Sequence, residues 1–215
     1  MKKIRLRNLV FLGAMCVLAI VFAGCAAIQE RVDASAYERI HRQLMNMESF
    51  TAQATVTYIS NNNSHVYETT QHARATGQYR IEVTSPENVA GNTTVFDGTT
   101  ISQFNPNIGG RVSQTTTESP ERLEILLTSF VRNFTNSQDV SIAAAAMDES
   151  VATILEATIP GDHPYMAVGR LWVNNETLKP MQMVIIDQAG AERIVVIYNS
   201  FEYNVAIDDA MFTVE

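Results

Sequence analysis

Phe50-Thr51-Ala52-Gln53-Ala54-Thr55-Val56-Thr57-Tyr58 is the stretch that decides the fold class. Phe50, Ala52, Ala54, Val56 and Tyr58 alternate with Thr51, Gln53, Thr55 and Thr57. Successive side chains on a strand point to opposite faces, so this alternation predicts a strand with one apolar and one polar face. Threonine on the polar side suits a half-solvated sheet.

The same grammar continues downstream. Asn61-Asn62-Asn63-Ser64 reads as a turn, and His65 to Thr76 as a more polar strand pairing back on the first. Gly77 breaks it; Tyr79, Ile81 and Val83 then alternate with Arg80, Glu82 and Thr84 in a third strand. Ser85-Pro86-Glu87-Asn88 and Gly91-Asn92 mark a loop. Val95-Phe96, Asp97-Gly98 and Ile101 to Phe104 read as a hairpin around an Asp-Gly turn. Arg111 to Gln114 returns as a further strand. Five more alternating runs follow, at Asp139 to Met147, Val151 to Ile159, Met166 to Asn174, Met181 to Asp187 and Glu192 to Tyr198. Short apolar segments, Phe201 to Val205 and Phe212 to Val214, close the chain.

Two segments carry a helical period instead. Tyr37, Ile40, Leu44 and Met47 share one face of a helix from about Ser35 to Met47, with Ser35 as N-cap. In the second, Ser119 is a good N-cap, Pro120 fits the first helical position and Glu121 suits the positive helix end. Leu123, Leu126, Leu127, Phe130, Val131 and Phe134 then form a wide apolar stripe. About eleven strands with short joins, plus two helices, predict an α+β fold. The architecture expected is an incomplete, strongly curved antiparallel barrel with helices packed in and over its mouth. The stripe is either ordinary core or a lid over an apolar cavity, with Leu123, Leu126, Leu127, Phe130 and Phe134 as the residues concerned.

Composition narrows the function. The chain has 215 residues, 46% hydrophobic and 18% charged, with a formal charge of −8. An acidic chain of this kind does not suit nucleic-acid binding. Two cysteines, Cys16 and Cys25, cannot build a Cys-rich zinc site or a disulfide-dense scaffold. His65 and His72 fall an odd number of residues apart on one strand and so on opposite faces. No metal-ligand spacing is present. There is no G-x-S-x-G elbow, S-x-x-K, Walker loop or G-x-G-x-x-G. Asp148-Glu149 and Asp208-Asp209 sit in turns, and nothing pairs them across a cleft. The sequence therefore nominates no catalytic residue and no metal ligand.

The N-terminus differs from the rest. Lys2, Lys3, Arg5 and Arg7 precede an apolar run from Leu9 to Phe22, and Ala23-Gly24-Cys25 follows. A basic start, a short apolar core and small residues at the end are the layout of a secretory signal. The ending resembles a bacterial lipobox, which implies a covalent diacylglycerol on Cys25 as the first mature residue and no other cofactor. Each buried CH₂ contributes roughly 0.8 kcal/mol, so such chains hold a protein on a membrane. An ordinary membrane anchor and a free thiol are the alternatives. The expected organisation is a signal peptide over 1–24, the acylated Cys and tether over 25–35, and one domain over 36–215. Cleavage leaves 11 basic and 23 acidic residues, a mature charge of −12.

Several of these residues also fall in a family pattern. Tyr79-Arg80-Ile81-Glu82-Val83 with Pro86, then Val95-Phe96-Asp97-Gly98, Ile101, Phe104 and Pro106, resemble the N-terminal half of the LolA/LolB-like lipoprotein superfamily. Leu171-Trp172-Val173, Thr177, Pro180, Val184, Asp187 and Gly190 resemble its second half, and Phe212 its terminal strand. In this pattern Arg80, Pro86, Asp97, Gly98, Trp172, Pro180 and Gly190 are mainly structural. The resemblance implies an apolar cavity that holds lipoprotein acyl chains in the Gram-negative carrier, where an arginine grips the chain; Arg74 and Arg80 are the nearest candidates. Size and lipobox are similar to the germination lipoproteins (GerS-like) of spore-forming bacteria. That branch implies a non-enzymatic protein outside the cytoplasm, lipid-anchored to the outer face of the cell membrane, with a cell-wall amidase as partner. In a Gram-negative cell the outer membrane takes that place. The runner-up is a carrier or acceptor of lipoprotein acyl chains. Cys25→Ala is expected to move the protein into the soluble fraction and leave the precursor uncleaved; retention in membranes would make the apolar segment an ordinary anchor.

Overall fold

The computed structural model describes residues 33–115, 124–147 and 150–213. These lie in one unit, Val32–Glu215. The signal segment, Cys25, Ser119 to Leu123, Asp148-Glu149 and Val214 fall outside the described residues.

Helix α1 (Ala34–Met45) is capped by Asp33, whose Oδ1 accepts the Ser35 backbone N–H at 2.9 Å and its hydroxyl at 2.8 Å. The cap is thus Asp33 rather than Ser35, because a carboxylate both accepts the free N–H and suits the positive helix end. The helix takes in Ala34 and Ser35, and it stops at Met45 rather than Met47. Ala36, Ile40 and Leu44 form its buried stripe.

Among the described residues, eleven strands then form one antiparallel sheet. The first six are β1 (Ser49–Ile59), β2 (Ser64–Arg74), β3 (Tyr79–Ser85), β4 (Thr93–Phe96), β5 (Thr100–Asn105) and β6 (Gly110–Thr115). After helix α2 (Leu127–Asn136) come β7 (Val140–Met147), β8 (Ser150–Thr158), β9 (Val168–Asn174), β10 (Pro180–Ile186) and β11 (Glu192–Tyr203). The order is β6-β5-β4-β3-β2-β1-β11-β10-β9-β8-β7. Two meanders therefore run outward from a central seam, β1 against β11. The outer strands β6 and β7 each have a neighbour on one side only, so the sheet does not close. The α2 segment lies between these two outer strands in the chain.

At the seam Phe50 faces Tyr203 and Tyr58 faces Ile194. Ser200 faces Gln53 but Tyr198 faces Ala54, so Asn199 is bulged out. That bulge lets β11 continue to Tyr203, which absorbs most of the segment expected as a separate strand from Phe201. Phe212 ends a 3₁₀ turn, Asp209–Phe212, not a strand. It is buried, with the Arg74 guanidinium 4.7 Å above its ring.

The core occupies the inner face of the sheet. Phe50, Ala52, Ala54 and Val56 from β1 join Ile40 and Leu44 of α1, Leu155, Leu171 and Met183 of the second meander, and Phe130 and Phe134 of α2. α2 begins later than the N-cap at Ser119 predicts: Leu126 is still extended (φ −93, ψ 134). Its carbonyl accepts the first helical N–H groups, from Ser129 at 3.0 Å and Phe130 at 3.3 Å. Glu124, Ile125, Leu126 and Leu127 are all buried. A helix on the sheet buries one face only, so four consecutive buried residues require an irregular entry. Phe130 stacks on Phe134 at 5.9 Å and lies over Gly169, where an added Cβ would sit 3.3 Å from the Phe130 ring.

Phe130→Ala should lower unfolding stability by about 3–5 kcal/mol in urea titrations. Gly169→Val should cost about 1–3 kcal/mol through overpacking of the same contact. Unchanged stability in both would contradict this packing.

Candidate inner cavity and its mouth

Cross-strand register brings one set of side chains to the inner face beyond the core. Tyr58 lies opposite His65, Val56 opposite Tyr67, and Ala54 opposite Thr69. Thr69 faces Val83 across β2 and β3, and Ile81 faces Thr94. Most of these residues, together with Ile125, line a cavity of about 410 Å³. The size falls within the range of small-molecule sites. Its walls are mainly apolar, with His65, Thr69, Asn92 and Thr94 as polar points. Asn92 Oδ1 is buried with no hydrogen-bond partner among the described residues. Tyr58 meets Tyr67 edge-on at 5.9 Å; burial, and after it Tyr67, holds its hydroxyl pKa above the ordinary phenol value.

A second cleft, of about 340 Å³, adjoins the cavity and shares Tyr58 and His65 with it. Its rim is fixed by a carboxylate just after β10. Asp187 Oδ1 accepts the backbone N–H of Ala189 at 2.9 Å and Ala191 at 2.8 Å, and Oδ2 accepts Arg193 Nε at 2.6 Å. Arg193 Nη1 continues to Asn61 Oδ1 at 2.7 Å, which ties the β10–β11 turn to the β1–β2 turn. The Arg193 guanidinium also lies 5.3 Å from the centre of the Tyr165 ring.

The residues nominated from sequence separate into groups. Leu126, Leu127, Phe130 and Phe134 are buried in the core, and the α2 segment contributes Ile125 to the cavity wall instead. Leu123 and Cys25 lie outside the described residues. Arg74 and Arg80 both sit on the outer face, since the buried Ala73 and Tyr79 beside them point inward. Arg74 binds Asp209 at 2.6 Å, Gln78 Oε1 at 3.0 Å and the Ile207 carbonyl; Arg80 pairs with Glu82 at 3.3 Å. Neither reaches the cavity, so the expected acyl-gripping arginine is not found among them. His65 and His72 do lie on opposite faces, opposite Tyr58 and Thr51. Burial, then Arg80, lowers the His72 pKa.

The turn residues behave as their chemistry requires. Asp97 Oδ1 accepts the N–H groups of Thr99 and Thr100 at 2.7 Å each, and Gly98 takes φ +105 in the hairpin turn. Gly190 takes φ +84 in the turn that Asp187 caps. Pro86 opens a 3₁₀ turn, Glu87–Val89, and buried Pro180 opens β10. Trp172 is half-buried on the outer face with Arg170 5.8 Å from its ring centre. Tyr67, Val89, Asn92 and Ile125 are cavity residues that sequence reasoning misses. Alternation assigns a face, but only the register between strands shows which residues meet.

Among the described residues no group of three His, Cys, Asp or Glu side chains is placed to hold a metal. No helix among them is long and apolar enough to cross a membrane.

Among the described residues an open eleven-stranded antiparallel sheet carries two helices whose buried residues join its core. The model of the YdcC-like sporulation protein family matches residues 6–212, and the chain belongs to that family. An uncharacterised conserved protein from Thermus thermophilus shares 13% identity at a TM-score of 0.53, covering 85% of this chain and 93% of that one. A structure of the CwlD amidase from Clostridioides difficile in complex with the GerS lipoprotein matches at 26% identity and a TM-score of 0.49. That match covers 81% of this chain and 98% of the other. A LolA superfamily protein from Nitrosomonas europaea matches at 16% identity and 0.44, over 83% and 96% of the two chains. A search of curated protein sequences finds no match.

The Ala191 backbone N–H holds the Asp187 carboxyl below the usual carboxylate range; burial opposes this, and the Arg193 guanidinium reinforces it. A carboxyl held low stabilises the fold above its unfolded pKa, about 3.9, and stops doing so as pH falls through the folded value. Asp187→Asn should therefore be less stable than wild type at neutral pH, with the gap closing below about pH 4 as the wild-type carboxyl protonates. A gap independent of pH in urea titrations would contradict this role.

Proposed function

We propose that the protein is a non-enzymatic, lipid-anchored binding protein outside the cytoplasm that supports a peptidoglycan amidase during sporulation or germination. The observation that carries this reading is membership of a sporulation family across nearly the whole chain. The lipobox at Ala23-Gly24-Cys25 supports the anchor, and a mature charge of −12 gives the domain no attraction of its own for anionic lipid. The amidase is the partner implied by the germination-lipoprotein branch, which the chain's size and lipobox suit, an enzyme of the class found in complex with GerS.

The apolar cavity favours a second reading, a carrier of acyl chains, because its walls are mainly apolar side chains. One experiment separates them. The full-length lipoprotein is extracted from its own membrane, and a cell-wall amidase of the same organism is added. On the first reading the amidase co-purifies and its activity on peptidoglycan changes, while native mass spectrometry finds the lipoprotein cavity empty. No co-purification, together with bound acyl chains, would replace the first reading with the second.

A further inference from the structure

The cleft beside the cavity is an amphipathic surface that the amidase reading does not use. Its wall carries exposed aromatic faces, with Tyr165 52% and Tyr58 38% exposed. Tyr165 is held from behind: Arg193 lies 5.3 Å from its ring centre, and Arg193 is itself fixed by Asp187 and Asn61. The ring is thus a preorganised platform, which lowers the ordering cost of anything stacked on it. Around the two rings stand Asn61, His65 and His163. His163 Nδ1 accepts the Tyr165 backbone N–H at 3.2 Å, so its neutral ring presents Nε2–H as a donor.

The charge of the cleft decides among ligands. Among the described residues Arg193 is the one permanently charged lining residue, and Asp187 neutralises that charge within the fold at 2.6 Å. An anionic ligand would have to compete with a buried carboxylate, and a cation would meet the guanidinium. A hydrocarbon chain would offer no partner to the His163 Nε2–H, the His65 ring or the Asn61 amide N–H groups. A neutral ligand with flat C–H faces and a rim of hydroxyl and amide groups matches both the rings and the polar groups. Such a ligand is a saccharide, and N-acetyl groups match the amide and imidazole donors and acceptors.

We infer that this cleft binds a short glycan of N-acetylated sugars. The inference rests on the extracytoplasmic location proposed above, not on the amidase partnership, so either can fail alone.

Isothermal titration calorimetry of the full chain in detergent with β-1,4-linked N-acetylglucosamine tetramer tests it, with maltotetraose as the comparison sugar. The N-acetylated tetramer should bind and maltotetraose should bind at least about tenfold more weakly. Tyr165→Ala should weaken binding about tenfold, whereas Tyr165→Phe keeps the ring and stays within about threefold of wild type. Tyr165 is on an exposed loop, and circular dichroism checks that both variants fold. Absence of binding by the wild type, equal binding of the two sugars, or unchanged affinity in Tyr165→Ala would each overturn the assignment.

Discussion

The pairing of β1 with β11 is the interaction on which the rest of the structure depends. It joins residues from opposite ends of the domain, Phe50 to Tyr203 and Tyr58 to Ile194, and it fuses two meanders that are otherwise built from local hairpins. Each meander exposes one apolar face, and neither can cover that face by itself. Once the seam forms, both faces become one concave surface, and α1 and α2 cover it. Phe50 stacks on Phe201 across this seam at 5.1 Å, and Phe201 meets Tyr203 edge-on at 4.7 Å. The bulge at Asn199 keeps Tyr198 and Phe201 on the same inner side despite the extra residue between them.

The cavity follows from the same constraint. Near Ser49 the inner face is filled by α1 and the aromatic seam. Near Ile59, Tyr58, His65 and Tyr67 line the cavity. Among the described residues the two outer strands do not pair, so the barrel remains incomplete. An incomplete barrel can retain a hollow that a closed eight-stranded barrel would fill with side chains. The polar groups gathered at this end, Asn61, His65 and His163, stand beside the aromatic rings of the cleft.

Much of this is legible from residue patterns because strand alternation is local. The alternating runs over 50–58 and 79–83 report their buried faces directly, and Asp97-Gly98 reports its turn through side-chain geometry. The open antiparallel architecture also follows from the spacing of the strands. Long-range features are not legible in the same way. Nothing in Glu192 to Tyr203 marks β1 as its partner, and nothing in Arg74 shows that it clamps the chain's end through Asp209. Ser119-Pro120-Glu121 is a strong local helix signal, yet tertiary burial of Glu124 to Leu127 dictates where α2 begins. Phe212 reads as strand by its apolar neighbours, yet Asp208 accepts the Ala210 N–H at 2.9 Å and turns the chain into a 3₁₀ coil. The cavity residues are visible singly but not as a group.

Hydrogen exchange of backbone amides at the seam tests its organising role most directly. If β1 and β11 hold the two meanders as one cooperative unit, amides of Ala52 to Val56 and of Val195 to Tyr198 will share the slowest exchange. They will open only with global unfolding, at one common free energy. If the β1–β6 amides instead lose protection at denaturant levels where β7–β11 remain protected, the seam is not what holds the fold together.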